Sequence, residues 1–209
     1  MKKQFDKRYK VIMGILLGII FSVIAVKGFI YLCTPKFDDI YVSDLPESYM
    51  IINEANYVQF QDGLDCGGYA TAYVLRHLGE EIEGEALYPQ MSYKVGRGVS
   101  LRGIRKAFRD YGYHAVSYTG TIDTMKMQLM KGNPIVAFVT INEDGEHYVA
   151  VVGWDKNFIY LADSTGSASN TVGCFQYNRR VTYEQFEKLW QTHSYPVQNI
   201  YTVVELAGR

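Results

Sequence analysis

Residues 11–33 read VIMGILLGIIFSVIAVKGFIYLC, one apolar run interrupted only by Lys27. Coiled as a helix at about 1.5 Å per residue, such a run crosses a hydrocarbon layer of roughly 30 Å. Lys2, Lys3, Lys7, Arg8 and Lys10 precede it against the single acid Asp6, whereas Lys36, Asp38 and Asp39 follow it. Basic residues stay on the cytoplasmic side of a membrane, so the N-terminus is expected inside and the rest of the chain outside, on a single-pass anchor in the cell membrane. A cleaved signal peptide has a shorter apolar stretch and small residues before the cut, which Ala25-Val26-Lys27 match poorly. A lipoprotein site at Cys33 is disfavoured by the bulky Tyr31-Leu32 before it. The expected division is therefore a basic tail with anchor over 1–36 and one globular domain over 37–209.

Composition narrows what that domain can be. Apolar residues make up 48% of the chain, enough for a core, and a net charge of -1 gives no electrostatic basis for nucleic-acid binding. The three cysteines, Cys33, Cys66 and Cys174, lack C-x-x-C spacing, and no histidine pair has the spacing of a metal site. No metal or cofactor is expected, and an odd number of thiols argues against a disulfide scaffold.

Along the domain the periodicity changes character. Asp65 is placed to open a helix over 66–78 that Gly79 ends, and Ser100 to cap a second helix with Leu101, Ile104, Ala107 and Phe108 on one face. Residues 113–118 read as a strand and 121–131 as a third helix. Three strand-like runs follow, IVAFVTI, HYVAVVGW and FIYLAD, joined by turns at 142–145 and 155–157. After a glycine- and serine-rich loop come a short helix begun by Thr182 and a last strand, IYTVVEL. Helices followed by an antiparallel sheet predict an α+β domain.

Three residues in this layout carry chemistry. Cys66 begins a helix, where unpaired N–H groups and the dipole favour an anion, and Gly67-Gly68 offer bare backbone for a carbonyl to approach. His147 opens an apolar strand directly after a turn, and Asp163 ends the next one. If those strands form a hairpin about 155–157, His147 and Asp163 share one end of the sheet, and the carboxylate can accept from the imidazole and stabilise its charged form. Packed thiol, surface histidine and loop-capping carboxylate are the bland alternatives for each residue alone. The order Cys, His, Asp is the layout of cysteine acyl-transfer chemistry.

FQDGLDCGGYATAYVLRHLG resembles the Q-x(4)-C-G-x-x-A helix start of the C39-like peptidases, a papain-like family, and HYVAVVGWDKNFIYLADS resembles their histidine strand, hairpin and aspartate. GVSLRGIRKAFRDYGYHAVSY and YEQFEKLW are similar to that family's second helix and closing segment. The likeness runs from about Tyr57 to the C-terminus. It implies a papain-like fold, hydrolysis of a peptide bond in a peptide or protein substrate, catalysis by Cys66, His147 and Asp163, and Gln61 as oxyanion donor. Gln59 and Gln61 would point to the same side of an extended segment, so periodicity does not choose between them; the motif spacing selects Gln61. No ATP-binding cassette follows, so leader trimming coupled to transport is not expected to carry over. A transglutaminase-like or other acyl transferase, and an inactive anchored binding module, remain as alternatives. His77, His114 and His193 are expected to be structural, and Cys174 a packed thiol.

Overall fold

The computed structural model describes residues 2–96, 98–142, 145–166 and 170–205, with side chains outside 2–8, 29–33 and 142. The chain divides into two compact units, Met1–Thr34 and Pro35–Arg209. The first is a single helix, α1 (Lys2–Cys33), in which Tyr9–Gly28 is long and apolar enough to cross a membrane and none of that stretch is buried.

The second unit begins with two short strands, β1 (Lys36–Phe37) and β2 (Tyr49–Met50). A helical section follows: α2 (Cys66–His77), α3 (Gly84–Gln90), the small hairpin β3 (Lys94–Val95) and β4 (Gly98–Val99), and α4 (Leu101–Asp110). Then come β5 (His114–Thr119), α5 (Ile122–Leu129), β6 (Ile135–Asn142), β7 (Gly145–Trp154), β8 (Phe158–Ala162), β9 (Arg179–Thr182), α6 (Tyr183–Leu189) and β10 (Ile200–Glu205). Eight strands make one sheet in the order β1-β5-β10-β6-β7-β8-β9, with β2 joined to β7. Among the described residues only β1 and β5 run parallel; the other pairs of this sheet are antiparallel.

Both faces of the sheet are covered, which explains why its central strands read as nearly continuous apolar runs. Val136, Phe138, Tyr148, Ala150 and Val152 pack with α2 and α4 on one face. Their neighbours Ile135, Ala137, Val139, Val149 and Val151 pack with Met125 and Leu129 of α5 and Phe186 of α6 on the other. The α4 face expected from its spacing is buried as a block, with Leu101, Ile104, Ala107 and Phe108 each at most 4% exposed. Truncating Phe108 to Ala would cost about 3–5 kcal/mol.

Three of the four helix starts expected in this unit carry a side-chain cap. Ser100 accepts from the Gly103 N–H, and Thr121 and Thr182 form capping boxes with Thr124 and Gln185. Asp65 differs, since its side chain makes no cap hydrogen bond and only its carbonyl engages the first turn, accepting from Gly68 N at 2.8 Å. Gly79, with φ +98, ends α2 as expected.

Helix and sheet are less segregated along the chain than the α+β pattern suggested: β5 intervenes between α4 and α5, and β1 and β2 precede every helix of the unit. The 142–145 turn lies partly outside the described residues, as do 167–169 of the glycine- and serine-rich loop.

Candidate active site

The hairpin of β7 and β8 places His147 and Asp163. Asp155 closes it, its Oδ1 accepting the N–H groups of Asn157 (2.7 Å) and Phe158 (2.8 Å). The register pairs Ala150 with Ala162, so His147 and Asp163 emerge at the same end of the two strands. His147 is 1% exposed and Asp163 0%, and His147 Nε2 lies 2.8 Å from Asp163 Oδ1. Thr165 Oγ1 also approaches Nε2, at 3.2 Å, which leaves Nδ1 as the ring nitrogen for the thiol of Cys66, the other side-chain hydrogen-bond partner of His147.

The electrostatics follow from those partners. Burial by itself disfavours a charged imidazole, but the hydrogen bonds to Asp163 and Cys66, with their charges, outweigh it and raise the His147 pKa to about 9. Burial would likewise raise the Asp163 pKa. The hydrogen bond and charge of His147, the Thr165 N–H and the Arg179 guanidinium instead hold it down at about 2. His147 and Asp163 are therefore matched as imidazolium and carboxylate at neutral pH.

Cys66 is the first residue of α2 and is buried. Because Asp65 provides no side-chain cap, the first N–H groups of the helix are not taken up by it. Gly67 and Gly68 do a different job from the one expected. A Cβ on Gly67 would come within 2.2 Å of Val99 Cγ1, and one on Gly68 within 2.6 Å of Tyr88 Cβ. These glycines let β4 and α3 close onto α2; they do not open the backbone to a substrate.

Gln61 and Gln59 are both present near α2 but are held differently. The Gln61 N–H donates to Ser164 O (2.9 Å) and its Oε1 accepts from Ser164 Oγ (2.6 Å), which ties it to the residue after Asp163. Its Nε2 donates to Gly63 O at 2.6 Å, within its own loop. Gln59 points into another network: its Oε1 accepts from Arg76 Nη1 (2.8 Å) and Gly84 N (3.0 Å), and its amide donates to Glu83.

Three partners of the site were not among the residues singled out from sequence. Thr165 donates its N–H to Asp163 Oδ1 at 2.9 Å. Asn178 brackets the Asp163 backbone, accepting from its N–H (2.8 Å) and donating to its carbonyl (2.7 Å). Arg179 Nη1 donates to Asp163 Oδ2 at 2.7 Å. A signal for Arg179 exists in RRVT once it is taken as a strand. Arg179 then shares a side with Val181, and an inward arginine needs a buried anion.

Other histidines lie elsewhere. His77 is half-buried, its Nε2 3.1 Å from Gly132 O. His114 Nδ1 lies 2.8 Å from Glu205 of the neighbouring strand. Cys174 is half-buried and hydrogen-bonds Gln176 at 3.1 Å. The side chain of Cys33 lies outside the described residues, and with it any pairing to Cys174.

Residues 54–198 match the model of the peptidase C39 family. Over 116 residues the chain is 29% identical to the lactococcin-G-processing and transport ATP-binding protein LagD of Lactococcus lactis, a match covering 55% of this chain and 16% of that relative. Among solved structures it is similar to the peptidase domain of Streptococcus ComA, a bi-functional ABC transporter, with TM-score 0.54 and 21% identity over 71% of this chain and 96% of that one. It is also similar to xylellain, a cysteine protease from Xylella fastidiosa, with TM-score 0.56 and 14% identity over 84% and 97% of the two chains. At these identities the two likenesses establish a papain-like cysteine-peptidase fold.

Proposed function

Since this chain belongs to the peptidase C39 family, and is thereby a cysteine peptidase, we propose that it cleaves a peptide bond with Cys66 as nucleophile, His147 as base and acid, Asp163 as the orienting carboxylate and Gln61 as oxyanion donor. What supports this reading above all is one observation: a buried imidazole hydrogen-bonded both to the Cys66 thiol and to a buried carboxylate, which lies 2.8 Å from its Nε2.

The chemistry follows in two halves. Before attack the Cys66 proton rests on His147 Nδ1, completing the imidazolium, and the sulfur then adds to the scissile carbonyl carbon. The oxygen that becomes negative takes hydrogen bonds from the Cys66 N–H at the start of α2 and from the Gln61 amide, once that amide releases Gly63 O. The C–N bond breaks as the imidazolium returns its proton to the leaving amine. Water then attacks the thioester, giving its proton to His147, and the acid product leaves with the thiol restored. Asp163 keeps the Nε2–H tautomer through both halves.

The substrate is proposed to be a peptide or a protein segment. LagD is by name a processing protein for lactococcin G, and this chain spans 16% of LagD's length, so a peptide substrate is the part of that role carried over here. The domain is proposed to begin at residue 37 and to be held at the outer face of the cell membrane by α1, on the strength of the 20-residue apolar stretch Tyr9–Gly28 and the basic residues before it.

Two experiments test this. A proteome-derived peptide library incubated with the full chain in detergent should yield new termini that disappear in Cys66→Ala; equal cleavage by the variant would end the assignment. Protease added to intact cells should digest the domain and spare the N-terminal tail, and protection of the domain would overturn the topology.

A further inference from the structure

We propose that Arg179, seated by Asn178, is a positioning residue for this reaction: it holds the Asp163 carboxylate by its second oxygen so that the first stays aimed at His147, and its charge tempers the carboxylate's grip on the imidazolium. The inference rests on the triad reading above and extends it to the strand beside the triad.

The geometry leaves little freedom to Asp163. Oδ1 receives His147 and the Thr165 N–H, Oδ2 receives Arg179 Nη1 at 2.7 Å, and Asn178 holds the backbone N–H and carbonyl of the same residue. Asn178 and Arg179 are consecutive, so one short stretch entering β9 fixes both the main chain and the side chain of Asp163. Arg179 is itself buried, and a guanidinium withdrawn from water is stable only opposite an anion.

The charge has a consequence for proton transfer. A carboxylate fully removed from solvent and facing only the imidazole would stabilise the imidazolium strongly and slow delivery of its proton to the leaving amine. A second cation on the far oxygen divides that attraction. The charged and titratable groups near this corner include Cys66 of α2, Glu146 and the buried Tyr148 on either side of His147, Arg179 of β9 and, farther out, Lys188 of α6. Glu146 is engaged by the N–H groups of His193 and Ser194. Lys188 lines the same cavity as Arg179 and is paired with Glu184. Of these, Arg179 is the cation in contact with Asp163.

The test uses the full chain in detergent, with the library peptide that the wild type cleaves fastest as substrate and iodoacetamide as thiol probe. Arg179→Gln should lower kcat on the order of tenfold or more with KM little changed. Labelling of Cys66 at neutral pH should persist, while the upper inflection of its pH profile moves above the value near 9 set by His147. Arg179→Lys, which keeps the charge, should return that inflection. In an Asp163→Asn background Arg179→Gln should add no further loss of kcat, because Arg179 acts through the carboxylate. That comparison stands even if Arg179→Gln alone fails to fold, since the double variant removes both buried charges together. An unmoved inflection in Arg179→Gln, or losses that multiply in the double variant, would overturn the positioning role while leaving the triad intact. Turnover by Cys66→Ala would overturn both.

Discussion

On one side of Cys66 lies the His147 corner, where every polar atom of Asp163 has a partner and the imidazole is 1% exposed. On the other lies the loop from Gln61 to Asp65, whose members Asp62, Gly63 and Leu64 are exposed and whose one side-chain amide is bonded to its own loop. The first region is built from strands and is fixed by their register. The second is a turn preceding a helix, with the helix N-terminus free of a side-chain cap. In the proposed mechanism the contrast would mean that proton transfer is preorganised before substrate arrives, whereas the second oxyanion donor would become available only when Gln61 exchanges Gly63 O for the substrate oxygen. Preorganised donors contribute most where charge develops, so the loop is where binding energy from the substrate would be used.

The bluntest way to break the comparison is to remove the sulfur it is centred on. Cys66→Ala should abolish turnover of library peptides while the thermal unfolding midpoint changes little, because the replaced side chain is small and sits at a helix end. Within the preorganised half, Asp163→Asn should lower kcat by up to about ten thousand-fold. The Arg179 contact makes the same variant costly to the fold as well. An uncompensated buried guanidinium should cost on the order of 3–5 kcal/mol of stability, read by denaturant titration.

The same pair gives stability a definite pH dependence. The Asp163 pKa is depressed, so its contribution is present above the usual carboxylate range and is lost as pH falls through about 2. The His147 pKa is raised, so its contribution is complete below about 6.5 and is lost as pH rises through about 9. Wild type should lose stability across both windows, and Asp163→Asn should flatten both slopes; unchanged slopes would mean that the charges reside elsewhere.

In the less finished half the expected effect is smaller. Gln61→Ala should lower kcat by about a hundredfold or more, on the order of 3 kcal/mol in the barrier, while iodoacetamide labels Cys66 as fast as in wild type. Labelling that slows in parallel with turnover would show that Gln61 supports the thiol and not the oxyanion.

What was legible in the sequence divides along the same line. Strand runs such as HYVAVVGW, the helix starts at Ser100 and Thr182 and the Gly79 stop are local signals, and each element formed within a residue or two of its expected place. A hairpin closed by Asp155 was enough to bring His147 and Asp163 to one end. The helix α3 was not legible, because GEALYPQ buries only Gly84 and Leu87 and carries a proline. Arg179 escaped for a different reason: its partner is 16 residues away in the chain and nothing in RRVT announces a strand. The packing role of Gly67 and Gly68 likewise depends on β4 and α3, elements that local pattern does not bring to α2.

Gln59 offers the finest test of the contrast, because it lies two residues from Gln61 and differs from it only in what holds it. Were the choice of oxyanion donor a matter of periodicity, the two amides would be equivalent. The structure gives Gln59 partners of its own: Arg76 Nη1 and Gly84 N on its oxygen and Glu83 on its amide. Arg76 in turn donates to the carbonyls of Tyr57 and Ile82 at 2.8 and 3.0 Å, so the network ties the strand-like segment before the loop to α2 and to the start of α3. Removing the Gln59 side chain would leave the Gly84 N–H and one Arg76 N–H without their acceptor, at a cost of about 1–3 kcal/mol. Gln59→Ala should therefore lower the unfolding free energy by about that amount, with kcat within about threefold of wild type at temperatures where the variant is folded. A loss of kcat as large as that of Gln61→Ala, at unchanged stability, would reassign the oxyanion donor to Gln59 and erase the distinction between the two sides of Cys66.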